Sequence, residues 1–188
     1  MGSDFGRLHL LVANLTLLDA AAEGDEALAR ALDGCEIARD WQGFPEAVRL
    51  LRDSLAVDPR ATCWGSRLFL HDAPRVLVGW GGFKGPPTDG SVEIGYAVAP
   101  EWQGRGLATC AVRAMLREAY AAPQVKAVIA HTLPERNASV RVLEKAGFAP
   151  DGVVVSEGKR SVWRFRTSVV ARSEMLLSPG KANCYGTP

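Results

Sequence analysis

An α+β fold, with a mixed and mostly antiparallel sheet flanked by helices, is the architecture this sequence predicts. Three observations predict it. Residues 64–71, 76–83 and 92–98 are apolar runs joined by short turns, which makes an antiparallel meander. Residues 125–131 form a further apolar run, reached from 92–98 through a long amphipathic helix. That is a βαβ unit, and it sets those two strands parallel. The first third of the chain, by contrast, reads mainly as helix.

In order, residues 1–6 read as a loose leader and Leu8–Val12 as the first strand. Thr16-Leu17-Leu18-Asp19 has the form of a capping box and opens a short helix that Gly24 interrupts. Asp25 then caps a second helix through Ala31. Pro45 suits the first turn of a third helix to about Leu55, closed by Asp58-Pro59. Trp41 and Phe44, just ahead of it, look exposed. Either they anchor a helical cap to the core or they line a substrate pocket. From Cys63 the texture changes to strands, with turn composition at Asp72-Ala73-Pro74-Arg75 and from Gly85 to Gly90. Residues 137–146 are a short helix, and Gly147 fits the position just past its end. The last strands begin at Phe148 and at Ser161, where Val162, Arg164 and Arg166 alternate. Residues 1–168 are expected to form one domain, with a helical substrate-side segment at 14–58 and a ligand-binding core at 63–168. Residues 169–188, which contain Ser178-Pro179-Gly180 and Gly186-Thr187-Pro188, are expected to be poorly ordered.

Composition bounds the function. The chain has 188 residues, enough for a full core, and 47% hydrophobic with 23% charged residues is ordinary for a globular protein. With 22 basic against 21 acidic side chains, no global field favours nucleic acid or an anionic membrane. The four cysteines, Cys35, Cys63, Cys110 and Cys184, form no C-x-x-C pair, so neither a metal site nor a disulfide frame is indicated. No signal-peptide pattern and no membrane-length apolar run is seen, so a soluble cytoplasmic protein is the default.

The organising stretch is 91–120. A buried strand at 92–98 ends at Pro100. Gln103-Gly104-Arg105-Gly106-Leu107-Ala108 then makes a glycine-rich turn, and a helix follows. Its polar positions Arg105, Thr109, Arg113 and Arg117 recur at i+4, while Ala108, Val112, Met115 and Ala119 lie on another side. A strand, a glycine turn and an opening helix gather unpaired backbone N–H groups at one point, where the helix dipole adds positive charge. Such a point binds a phosphorylated ligand. The turn is not a Walker A loop, because no Gly-Lys-Ser/Thr follows. It is not G-x-G-x-x-G either, because Ala108 and Thr109 stand where glycine is wanted.

The strand EIGYAV, then Gln103-x-x-Gly106-x-Ala108, then Val142-Leu143-Glu144-Lys145-Ala146-Gly147-Phe148 resembles the GCN5-related N-acetyltransferases. The likeness is nearest to the branch that acetylates ribosomal-protein N-termini (RimJ/RimL type), and its specific part runs from Gly79 to Phe148. It implies the acyl-CoA N-acyltransferase fold and direct transfer from acetyl-CoA to an amine, with no metal. Glu93 is the implied base, acting through water; the alternative is a solvated strand glutamate. Glu93, Gly95 and Ala97 share one strand face, where the two small side chains leave room for a ligand. Backbone groups at Ala97 and Val98 would pair with the pantetheine arm and supply the oxyanion donor. Gln103, Gly106 and Ala108 match the family's signature for the acetyl-CoA pyrophosphate, which the amides of Gly104, Arg105, Gly106, Leu107 and Ala108 would hold.

Departures from the family pattern affect the other roles. Many relatives carry a tyrosine as thiolate acid where this chain has Leu143. Ser139 is retained from the ribosomal branch and is the remaining candidate for that proton. Asn137 either reaches the cofactor or caps its helix. Arg105 either adds charge at the phosphates or points to solvent. Cys110, where relatives often have glutamate, reads as packing. His131, at the end of its strand, is a candidate substrate contact or proton relay, whereas His9 and His71 read as structural or exposed. The acceptor would be a small-molecule amine or a protein N-terminus, and relatives in the branch are often dimers, so a homodimer is allowed. Two other readings stay open: a non-catalytic acyl-CoA sensor, and a binder of another phosphorylated ligand such as a nucleotide.

Overall fold

The computed structural model describes residues 8–57, 63–155 and 160–168. The expected leader, the helix stop at Asp58-Pro59 and the segment 169–188 lie outside the described residues. The elements are β1 (Leu8–Val12), α1 (Leu15–Glu23), α2 (Asp25–Ala31), β2 (Glu36–Ile37), α3 (Pro45–Val57), β3 (Ser66–Asp72) and β4 (Arg75–Phe83). Then come β5 (Ser91–Val98), α4 (Leu107–Ala121), β6 (Ala127–Thr132), α5 (Ala138–Lys145), β7 (Ala149–Val155) and β8 (Ser161–Ser168). The described residues group into two compact units: one takes those up to Gly82 together with Tyr96–Ala111, and the other takes Phe83–Gly95 and those from Val112 to Ser168.

In the first unit the strand order is β1-β3-β4-β5. β1 runs antiparallel to β3 from Leu8↔His71 to Val12↔Arg67, and β3 runs antiparallel to β4 with a bulge between Phe69 and Leu70. The end of β5 is tied to β4 by Ala99 N–H, which donates to Val78 O at 2.8 Å. That approach requires glycine at 79, where a Cβ would lie 2.3 Å from the Ala97 carbonyl oxygen. β2, two residues long and parallel to β4, is too short to leave a period in the sequence.

Two expected helix starts are corrected. Asn14, not the Thr16 box, caps α1: its Oδ1 accepts Leu17 N–H at 2.9 Å, which leaves Thr16 inside the helix. Gly24, not Asp25, precedes α2. The Asp25 carboxylate instead accepts the indole N–H of Trp41 at 3.0 Å. Trp41 is therefore not an exposed aromatic. It is 1% exposed, in the core with Leu17, Leu18, Leu28 and Val48.

In the second unit the order is β5-β6-β8-β7. β5 and β6 are parallel, as the βαβ reading requires, from Ser91↔Ala127 to Ile94↔Ala130, where the ladder ends. β6–β8 and β7–β8 are antiparallel, the latter with an irregularity between Pro150 and Val153. The second half of α4 buries Val112, Met115, Leu116 and Ala119, and α5 buries Val140 and Leu143. Asn137 caps α5 by accepting Val140 N–H at 3.1 Å. At the other end Gly147 takes φ +89°, Phe148 N–H donates to Leu143 O and Gly147 N–H to Glu144 O. This Schellman ending is the one that the glycine signalled.

Candidate active site

The glycine turn in the first unit is built in steps. Pro100–Trp102 forms a 3₁₀ turn after β5. Gly104 and Gly106 follow with φ of +76° and +81°. No atom lies within 4 Å of a Cβ at either position, so glycine is there for backbone conformation and an open face, not for crowding. α4 begins at Leu107, whose side chain is 4% exposed and pins the start of the helix. The turn proper is thus 103–106, while Leu107 and Ala108 already belong to the helix. The first helical bond runs from Cys110 N–H to Gly106 O at 3.0 Å. The N–H groups of Leu107, Ala108 and Thr109 precede it and have no carbonyl within the helix to bond. Over fifteen residues the peptide dipoles of α4 add positive potential there.

Gln103 and Arg105 serve the turn differently. The Gln103 side-chain N–H donates to Val98 O at 2.9 Å, which fastens the turn to the end of β5. Arg105 is not part of the helical stripe in which the sequence placed it. Its guanidinium lies 4.5 Å from the Trp102 ring centroid and donates to Glu101 O at 3.0 Å. The same unit brings the loop before α3 onto β5. A Cβ at Gly43 (φ +63°) would lie 2.8 Å from the Ala97 Cβ, and the Trp80 indole N–H donates to Gln42 O. Phe44, next along, is 59% exposed. Of the two aromatics flagged from sequence, it is the one on the surface. His71 is buried, its Nδ1 3.0 Å from Pro74 O, and His9 is exposed beside Asp72 at 2.7 Å.

In the second unit Glu93 is the centre. Val92 and Ile94 are buried on one face of β5, so alternation puts Glu93 and Gly95 on the other, partly open face. Oε1 of Glu93 meets the Lys84 ammonium and, at 2.9 Å, Nδ1 of His131. Burial alone would push the Glu93 carboxyl up, but the bonds from Lys84 and then His131 outweigh it and hold the group below its ordinary range. Lys84 was missed in the sequence. The signal was there: Lys84 N–H donates to Glu93 O at 2.9 Å, so the two residues are a cross-strand pair of opposite charge once the register of the 85–90 turn is known.

Asn137 is occupied at both ends, capping α5 and donating to Thr132 Oγ1 at 3.0 Å. Ser139 is half-buried in the first turn of α5. Leu143, where many relatives would carry tyrosine, is 1% exposed in the core. Among the described residues Cys35, Cys63 and Cys110 take part in no disulfide, no cluster of three or more His, Cys, Asp or Glu is placed to hold a metal, and no helix is long and apolar enough to cross a membrane.

Known proteins give the pattern a context. The family model described as "Acetyltransferase (GNAT) domain" matches residues 15–149. The uncharacterized N-acetyltransferase YjdG of Bacillus subtilis (strain 168) is 28% identical over 145 residues, 76% of this chain and 86% of that protein. The aminoglycoside acetyltransferase AAC(6')-Ib, solved with coenzyme A and kanamycin, superposes with a TM-score of 0.64 at 17% identity, over 90% of this chain and 99% of that one. The ribosomal-protein-S5-alanine acetyltransferase of Vibrio fischeri gives 0.58 at 15% identity, over 89% and 95%. At these identities the two structures establish likeness of fold.

Proposed function

The chain belongs to the GNAT acetyltransferase family, and from that premise we propose that this N-acetyltransferase moves an acetyl group from acetyl-CoA directly to a primary amine in a ternary complex. The observation that carries the reading is the run of open amides at the start of α4, behind two glycines in left-handed conformation. A diphosphate suits that point because it takes several N–H donors at once and answers the dipole. The backbone of Ala97 and Val98, on the same β5 that Gln103 fastens to the turn, would take the pantetheine arm as an added strand. Residues 97–98 would also supply the N–H facing the oxyanion.

The acceptor side rests on Glu93 and His131. An alkylammonium with a pKa near ~10.4 is almost wholly protonated at neutral pH, so transfer needs a group that removes a proton. The Glu93–His131 pair is that group. In the first unit Phe44, exposed in the loop before α3, is the candidate acceptor contact, while Trp41, bonded to Asp25 and buried, has a structural role. Ser139 is the candidate donor to the leaving thiolate.

The acceptor class is a small-molecule amine or a protein N-terminus. Structures of similar fold include enzymes named for each, with TM-scores of 0.64 and 0.58, so the likeness of fold does not favour the ribosomal branch. A second reading, a non-catalytic acyl-CoA sensor, draws on one observation: the buried Leu143 puts no hydroxyl where relatives carry one. Thiol release separates the two. Acetyl-CoA incubated with spermidine, kanamycin or an alanine-started peptide should yield free thiol and acetylated amine with at least one of them. Acetyl-CoA uptake without thiol release from any would support the sensor.

A further inference from the structure

The acceptor's proton has two groups to go to, and the geometry around Glu93 separates them. Oε1 of Glu93 receives both the Lys84 ammonium and Nδ1 of His131, the latter at 2.9 Å. The Glu93 and His131 side chains are partly covered, at 27% and 24% exposure. An ionised carboxylate can only accept hydrogen bonds. With an ammonium on the same oxygen Glu93 stays ionised, so the hydrogen in the Glu93–His131 contact belongs to Nδ1. In the neutral ring that leaves Nε2 with the open lone pair. We propose, on the basis of the acetyl-transfer reading, that Nε2 of His131 takes the acceptor's proton, with Glu93 and Lys84 as its positioning residues.

The chemistry favours this division. A carboxylate held below its ordinary range is a poor acceptor for a proton from an amine, whereas the Nε2 lone pair of a neutral imidazole is open to it. Other charges facing His131 come from β8. Arg164 is its direct partner across the β6–β8 ladder, and Arg166 pairs with Ile129 two residues away. Arg164 is in turn ion-paired with the Asp151 carboxylate of β7 at 2.8 Å and donates to the Asp151 carbonyl at 3.2 Å. From α5, the Asn137 cap bonds Thr132 and brings no charge. Glu93 is thus the anion that steadies an imidazolium, and Lys84 and the arginines oppose it.

The acceptor enters as R–NH3+ and gives one proton to Nε2. The lone pair of R–NH2 attacks the thioester carbon, the C–N bond forms and the C–S bond breaks. The Ser139 hydroxyl gives its proton to the sulfur and regains one from the surplus proton on nitrogen, and the imidazolium releases its proton to solvent. The products are an amide, a free thiol and one proton.

The chain holds three histidines, so His131 can be resolved by long-range proton–nitrogen NMR of histidine-labelled protein, with His131→Gln for assignment. At a pH where the ring is neutral, His131 should carry its hydrogen on Nδ1; a hydrogen on Nε2 overturns the proposal. With whichever of spermidine, kanamycin or the alanine-started peptide is acetylated, His131→Gln should lose about a hundredfold or more in kcat/KM and lose the acid limb of the pH profile. Glu93→Gln should keep an acid limb, because the proton-accepting nitrogen of His131 is still present. Calorimetry should show that both variants still take up acetyl-CoA. If Glu93→Gln loses the limb while His131→Gln keeps it, Glu93 is the base. The proposal then falls and acetyl transfer stands. If the wild type releases no thiol with any of these amines, the acetyl-transfer reading falls and takes the role of His131 with it.

Discussion

The side-chain N–H of Gln103 donates to the carbonyl of Val98 at 2.9 Å, and so joins the glycine turn to the strand that would receive the pantetheine arm. One hydrogen bond of this kind contributes on the order of 1 kcal/mol, and here it fixes a loop rather than the core. Gln103→Leu should leave the melting temperature nearly unchanged. Steady-state kinetics should show the KM for acetyl-CoA raised by roughly fivefold to tenfold, the equivalent of that one bond.

Gly106 tests the open face of the turn. Its φ of +81° is strained for any residue with a Cβ, and no atom stands within 4 Å of where one would go. Gly106→Val should therefore cost only about 1–3 kcal/mol of stability, from backbone strain. The side chain would project into the space proposed for the diphosphate. Chemical denaturation and acetyl-CoA titration of the same variant should show a small loss in the first and a loss of more than about tenfold in the second.

Gly79 should behave in the opposite way. A Cβ there would meet the Ala97 carbonyl oxygen at 2.3 Å and the Val98 Cα at 2.9 Å, both backbone atoms that cannot swing aside. Gly79→Ala should lower stability by roughly 2 kcal/mol or more, read by urea unfolding, because β4 and the end of β5 would have to separate. A variant as stable as the wild type would contradict the packing described for this strand pair.

Trp41 and Phe44, three residues apart, should separate cleanly. Trp41→Ala removes a side chain 1% exposed and leaves Asp25 without its indole partner, a loss of about 3–5 kcal/mol. Phe44→Ala removes one 59% exposed and should change stability by less than about 0.5 kcal/mol. If Phe44 lines the acceptor site, the same substitution raises the KM for the amine and not that for acetyl-CoA.

The pH dependence of stability follows from Glu93. Burial would raise its carboxyl, but Lys84 and His131 hold it below the ordinary value of 4.5. A group depressed in the folded state binds its proton more weakly there than in the unfolded chain. Its stabilising contribution is complete above about 4.5 and fades as pH falls through the lower folded-state value. Glu93→Gln should therefore lose less melting temperature than the wild type between about pH 7 and about pH 3.5. Equal losses in both proteins would mean that Glu93 is not stabilised by its neighbours.

What the sequence disclosed followed from local chemistry. Gly147 marked a helix end because only a residue without a Cβ settles at φ +89° there, and the βαβ unit followed from an apolar run placed after an amphipathic helix. Glu93 stood out through the resemblance to the acetyltransferases and through the strand face it shares with the small residues Gly95 and Ala97. The partners were harder to read. Lys84 reaches Glu93 across a turn whose register depends on the bridge between Thr88 and Ser91, and no single-strand pattern encodes that pairing. The Trp41–Asp25 bond spans sixteen residues, across α2 and β2, so composition left the tryptophan looking exposed. Asn14 displaced the Thr16 box because one helix start has two eligible caps, and only the path of the chain out of β1 selects between them.

The most direct test is a calorimetric titration of the wild type and Gly106→Val with acetyl-CoA, beside ATP and NAD. The expected result is one acetyl-CoA per chain in the wild type, little or no heat from ATP or NAD, and binding lost in the variant while its fold persists. Absence of acetyl-CoA uptake by the wild type, or undiminished uptake by Gly106→Val, would contradict a diphosphate held by the amides at the start of α4.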